Sequence, residues 1–272
     1  MIGRQIVAQD PDCVGSGVFK ARVQKIIEMG DAFISYSFPD EGTGRDRVEI
    51  RSGTVDIPVL YKPFIVERQD MGAFLREGTN LETVSSRSAG KAVVRLENEM
   101  ILNGWKPDGT NYEVKGLYQT ANQAENTSLD FGTAGNADKA VNSAIAKMEA
   151  QGVEADAWFL VINPTQMAEL RTSRISGLNV KEMGEVIASL NNGKENGVGT
   201  VISTSVQTAG TGQVLPYDPT MEYFRLLNPL EVTTELGQDS KAPKTSPVYG
   251  NVFETLLIDI IEPNAICKLT SI

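Results

Sequence analysis

No histidine occurs anywhere in the 272 residues, and cysteine occurs only at positions 13 and 267. Ser-His-Asp and Cys-His triads are therefore impossible within this chain. A zinc site would need carboxylates and at most two thiolates, an unusual ligand set. Two cysteines make no disulfide framework; Cys13 and Cys267 read as free thiols in a reducing compartment, with a single bridge between them left open. Positive charge is also short: 25 Lys and Arg face 35 Asp and Glu, a net charge of −10. That argues against a general nucleic-acid binder with a basic face. It suits a protein that stays soluble at high concentration. No apolar run approaches the ~20 residues that span a bilayer. Met1-Ile2-Gly3-Arg4-Gln5-Ile6 lacks the apolar core of a signal peptide, so a cytosolic product is expected. Asn126-Thr127-Ser128 matches a glycosylation sequon but reads as a polar loop.

Nucleotide and calcium motifs are missing too. Gly193-Lys194 is followed by Glu195 and lacks the first Walker glycine, and no glycine pair gains the third glycine of a dinucleotide loop. Asp10-Pro11-Asp12 starts like a calcium loop, yet the twelfth position is Ala21 where a bidentate glutamate is required. No catalytic, cofactor-binding or metal residues are assigned. The expectation is a protein that is not an enzyme.

What is present is a composition of ordinary globular type, 41% hydrophobic and 22% charged, and a readable order of elements. Residues 14–30 place Phe19, Val23, Ile26 and Ile27 on one helical face, which predicts a short amphipathic helix ending at Gly30. Arg45, Arg47, Glu49 and Arg51 alternate with Asp46, Val48 and Ile50 between turn residues. This predicts one arm of a charged hairpin, with residues 55–61 as its return arm leading on to Phe64-Ile65-Val66. Such a ribbon buries little at home and either stands in solvent or lies on another subunit.

Residues 81–103 form the longest helical pattern, with Ala89, Ala92, Val93, Leu96, Met100 and Ile101 on one stripe and Gly104 as its stop. Its length is about 35 Å at 1.5 Å per residue, enough for the spine of a domain. Glu97 and Glu99 point to different sides and are expected on a solvated face. A second helix is expected over 136–152. Trp158-Phe159-Leu160-Val161-Ile162 reads as a strand covered on both faces. Asn163 and Pro164 then start another helix. Helix 180–190, strand 197–202, and strands at 230–236, 252–261 and 265–272 complete the chain.

The ordered set resembles the Hong Kong 97-type capsid proteins of tailed viruses and the encapsulin shells that share their fold. Val55-Asp56-Ile57-Pro58-Val59-Leu60 is similar to the strand leaving the extended loop. Phe74-Leu75-Arg76-Glu77-Gly78 resembles the entry to the spine helix. Arg95 to Gly104, followed by Val114-Lys115-Gly116-Leu117, is similar to the spine's acidic end. Trp158 to Pro164 resembles the central axial strand, and residues 252–266 the returning peripheral strand. The region before the spine, Glu67-Arg68-Gln69-Asp70-Met71, carries no aromatic where some encapsulins stack a flavin, so no flavin is expected.

The resemblance implies an α+β Hong Kong 97-type fold. It divides the chain into an N-terminal arm (1–36), an extended loop (37–66), a peripheral domain with the spine helix (67–133 and 230–272) and an axial domain (134–229). The function implied is a major capsid protein that self-assembles, as pentamers and in larger shells hexamers, into an icosahedral shell around viral double-stranded DNA, held without sequence-specific binding. The alternative is an encapsulin shell around a cargo enzyme. Arg45, Arg47, Glu49 and Arg51 are the expected intersubunit contacts, and Phe19, Val23 and Ile27 an inner docking face for cargo. The expected location is the virion, assembled in the host cytoplasm, or a cytoplasmic nanocompartment in the alternative; no membrane is involved.

Overall fold

The computed structural model describes residues 3–13, 20–27, 49–67, 70, 81–126, 129–172, 181–194, 197–237 and 247–272. Its centre is strand β5 (Trp158–Ile162), every residue of which is buried. Alternate side chains of a strand point to opposite faces, and here each face meets a different core. Trp158, Leu160 and Ile162 pack with Ala140, Met148 and Leu190, whereas Phe159 and Val161 pack with Val93, Leu102 and Leu256. Five apolar residues in a row are therefore required.

β5 sits in a five-stranded sheet with β4 (Gln123–Asn126), β6 (Thr200–Ser203), β7 (Thr211–Pro216) and β10 (Cys267–Thr270), in the order β4-β10-β7-β5-β6. β6 runs parallel to β5 and β7 antiparallel to it. Helices α4 (Asn136–Glu149), α5 (Pro164–Thr172) and α6 (Glu182–Leu190) cover the first face. Pro164 takes the first position of α5, where its missing N–H costs nothing, and the Asn163 Oδ1 accepts from Thr165 N at 3.0 Å.

The second core lies between that sheet, the spine helix α2 (Leu81–Asn103) and a three-stranded antiparallel sheet ordered β3-β9-β8. These strands are β3 (Val59–Val66), β8 (Phe224–Gly237) and β9 (Val248–Ile260). α2 ends at Gly104, whose φ is +80°; a Cβ there would lie 2.4 Å from the Val114 carbonyl oxygen, so only glycine fits. The short α3 (Leu117–Thr120) follows, with Leu117 fully buried. The helix's buried face is turned from the predicted stripe: Ala92 is exposed and Glu97 is buried in its place.

The N-terminal segment is part of this lobe. After α1 (Gly3–Ile6), Ile6 and Val7 are buried, the Leu226 N–H donates to Ala8 O at 2.9 Å, and the Asp10 N–H donates to Leu226 O at 2.9 Å. Residues 7–10 thereby lie along β8 like a short extra strand.

Three expectations need correction. The helix expected over 14–30 is, where described, a strand: β1 (Lys20–Ile27) pairs antiparallel with β2 (Glu49–Asp56), from Lys20 opposite Asp56 to Ile27 opposite Glu49. Positions four apart share a face in a helix and in a strand alike, so the Val23–Ile27 spacing could not separate the two. Second, residues 55–61 are not the return arm for 45–51. Val55 and Asp56 finish β2, and Val59 onward pairs with β9. The break falls where Ile57 is buried against Leu227 and Leu257 and Pro58 offers no N–H to a ladder. Third, the expected peripheral grouping of 67–133 and 230–272 sets β10 with β8 and β9, whereas β10 lies between β4 and β7 in the five-stranded sheet.

Cys13 and Cys267 are both free thiols. Cys267 is in the first core and burial pushes its pKa up to about 11, while Cys13 packs by the Ile57 cluster.

Leu160→Ala should lower unfolding stability by about 2–5 kcal/mol through lost burial and a cavity. Chemical denaturation of the isolated subunit measures this.

Candidate functional site

Among the described residues, no three His, Cys, Asp or Glu side chains come together as a metal site. No helix among them is long and apolar enough to cross a membrane. The features that stand out are surfaces and buried ion pairs.

The β1–β2 ribbon is the first. Its base is anchored where partly buried Ala21 packs against Ile57, Leu227 and Leu257. Gly53, Thr54, Val55 and Asp56 are exposed, and Lys20 pairs with Asp56 at 3.4 Å in the open. Of the expected contact residues, Glu49 and Arg51 are on β2, opposite Ile27 and Lys25. Arg45 and Arg47 lie outside the described residues. Of the expected docking face, Val23 and Ile27 are on β1 and Phe19 lies outside the described residues.

The second is the outer face of the three-stranded sheet. Even-numbered Leu60 and Val66 of β3 are buried, whereas Val59, Tyr61 and Ile65 are exposed. Tyr249, opposite Ile65, extends this apolar exposure. β3 is also the edge of its sheet. At the C-terminal end of α2 a groove of about 520 Å³ opens between Tyr61, Met100, Trp105 and Tyr112. The Lys106 ammonium lies 4.1 Å from the centre of the Tyr112 ring. Contiguous apolar exposure of this kind is the chemistry of a protein-binding surface.

The third feature is a buried ion group. Glu97, expected on a solvated face, is fully buried, and so is Glu254 of β9. The Arg4 guanidinium bridges them: its Nε donates to Glu97 Oε1 at 3.0 Å and its Nη2 to Glu254 Oε1. Asn228 Nδ2 donates to the same Glu254 oxygen at 2.7 Å, and Gly3 N to Asn98 Oδ1 at 2.9 Å. Burial, followed by repulsion from Glu97, raises the Glu254 pKa from 4.5 to about 7, against the pull of Arg4 and Asn228. Burial alone would lower the Arg4 pKa, but its bond to Glu97 and the charges of Glu97 and Glu254 outweigh this and raise it. Spacing carried part of the signal, since Glu97 stands four residues from both Val93 and Ile101 on the buried stripe. Glu254 likewise shares a strand face with buried Val252 and Leu256.

A second ion group fastens the same segment further on. Arg225 Nη1 donates to Asp10 Oδ2 and its Nε to Asp259 Oδ2, both at 3.0 Å. Asp10 and Arg225 thus join the N-terminal segment to β8, and Asp259 adds β9.

Residues 35–189 match the profile of the family described as encapsulating protein for peroxidase. No curated protein matches the sequence. Among solved structures, the chain is similar to the capsid of Myoviridae phage XM1, with 14% identity, a TM-score of 0.70, and coverage of 100% of this chain and 91% of that one. It is also similar to a virus-like particle from Pyrococcus furiosus, at 20% identity and TM-score 0.61, covering 97% and 90%. The capsid of an empty GTA particle gives 15% identity and TM-score 0.61 over 98% and 94%. The fold is the Hong Kong 97-type capsid fold.

Arg225→Ala leaves Asp10 and Asp259 without their shared cation. It should cost about 1.5–3 kcal/mol, the usual value of hydrogen bonds to charged groups, and Arg225→Lys should recover only part. Denaturant titration of the three proteins checks both statements.

Proposed function

We propose, because this chain belongs to the family of encapsulating proteins for peroxidase and has the capsid fold, that it is a structural shell protein. Its copies assemble into a closed icosahedral shell, of pentamers and in a larger shell also hexamers, around double-stranded DNA. The observation that carries the reading is the two-way, near end-to-end likeness to capsid subunits. The exposed apolar edge at Val59, Tyr61 and Ile65 supports it, since symmetric assemblies reuse one such surface many times. The net charge of −10 suits DNA packed without sticking to its container. The reading assigns no catalytic step to the chain. It locates the protein in the virion, after assembly in the host cytoplasm.

The contacts between copies would run through the charged segment carrying Arg45, Arg47, Glu49 and Arg51. The three arginines would pair with acidic groups on an adjacent copy, since Asp46 and Glu49 alone cannot balance them.

The family description favours a second reading, a cytoplasmic nanocompartment holding a peroxidase. There a short peptide of the cargo would dock on the inner wall at the segment carrying Phe19, Val23 and Ile27, which requires only an apolar groove.

Electron microscopy and light scattering should find hollow icosahedral particles; a monomer or small dimer under all conditions would refute the assembly. Native particles should protect DNA from nuclease. One stoichiometric enzyme without DNA would establish the second reading instead. Changing Arg45, Arg47 and Arg51 together to Ala should weaken assembly while the subunit stays folded. Each exposed pair contributes only about 0–1 kcal/mol, but the shell repeats it at every copy.

A further inference from the structure

The N-terminal segment is held by an unequal set of charges. One guanidinium, that of Arg4, faces two carboxyl groups, Glu97 from α2 and Glu254 from β9, both completely buried. Among the described residues Arg4 is the cation that acts on Glu254, and Lys62, two positions from Leu60 on β3, is exposed. β8 contributes neutral Asn228, with Glu231 acting on Arg4 from a distance, and β3 sets apolar Leu60 opposite Glu254. With both carboxyls ionised the group carries a net negative charge away from water. With one of them protonated it is neutral. Oε2 of Glu97 and Oε2 of Glu254 are buried and have no hydrogen-bond partner among the described residues, so Glu254 can carry a proton at Oε2 without displacing a donor.

The position of Arg4 gives this balance a mechanical consequence. Its side chain is 20% exposed while those of both carboxylates are 0% exposed, so Arg4 stands between them and solvent. It belongs to α1, whose first residue, Gly3, is packed so closely that a Cβ would meet Ile101 Cδ1 at 2.4 Å. Lifting the segment would let water reach both carboxyls.

We propose that Arg4, Glu97 and Glu254 form a proton-operated latch that closes the N-terminal segment, residues 3–13, onto the spine helix and β9, and that loosens when both carboxyls ionise. The raised Glu254 pKa, about 7 against 4.5 in water, sets the direction and the window. The closed state binds the proton more tightly than the open one. Its advantage is full below the open-state value, declines between the two, and is lost as pH rises through about 7. This holds whatever the shell contains.

Hydrogen exchange of the full-length protein tests it. The protection factors of the 3–12 amides, which remove the intrinsic pH dependence of exchange, should fall about 10- to 30-fold between pH 5.5 and pH 8. Protection across β5 should not change. Glu254→Gln should abolish the fall, while Glu231→Gln should retain it. If Glu254→Gln does not fold, Glu97→Gln removes the same repulsion and should reduce the fall. Equal protection at the two pH values in the wild type, a rise with pH, or an undiminished fall in both the Glu97 and Glu254 variants would overturn the proposal.

Discussion

The structure depends on a strand that must be covered twice. Each side chain of Trp158–Ile162 leaves water, at roughly 1.5–3 kcal/mol for a large apolar residue, but alternate residues do so in different cores. The same sharing continues on β7, where Val214 joins one core and Leu215 the other. The five-stranded sheet is thus the wall between two lobes, and neither lobe is complete without it. Closing the second core brings α2, β9 and the N-terminal segment together, and with them the residues that form the buried ion group.

That group is where polar chemistry was placed inside an apolar interface. A buried ion pair gains little stability over apolar packing, because desolvation offsets the attraction, but losing one partner is costly. Arg4 and Asp10 instead define one seat for a segment that Ile6 and Val7 alone would allow to slide. The gripping points lie at both ends of residues 4–10, with the backbone bonds to Leu226 between them.

The surface has the opposite character. β3 shows Val59, Tyr61 and Ile65 at the edge of its sheet. An open strand edge with exposed apolar residues is a liability in a monomer; in a shell protein it is material for contact with the next copy. The ribbon has the same character: Ala21 and Ile57 tether its base, and its Gly53–Asp56 stretch is exposed.

Periodicity by itself determined the spine helix over 81–103, the doubly covered strand at 158–162, and the Asn163–Pro164 helix start. In each case a local pattern has a single low-energy answer: a long 3.6-residue stripe, an unbroken apolar run, a cap followed by proline. The ordered set of such elements also carried the capsid fold. Tertiary structure alone decided the pairings. Lys20–Ile27 became a strand because Glu49–Asp56 was available to bond with it, and Val59–Val66 turned to β9 because Ile57 was pinned beneath. The burial of Glu97 was half legible, since its spacing put it on the inner face, yet a carboxylate there is tolerable only beside a cation. That cation is Arg4, 93 positions away in the chain, and Glu254 lies further still. Contacts at such separation are set by how the lobes close, which no local pattern encodes.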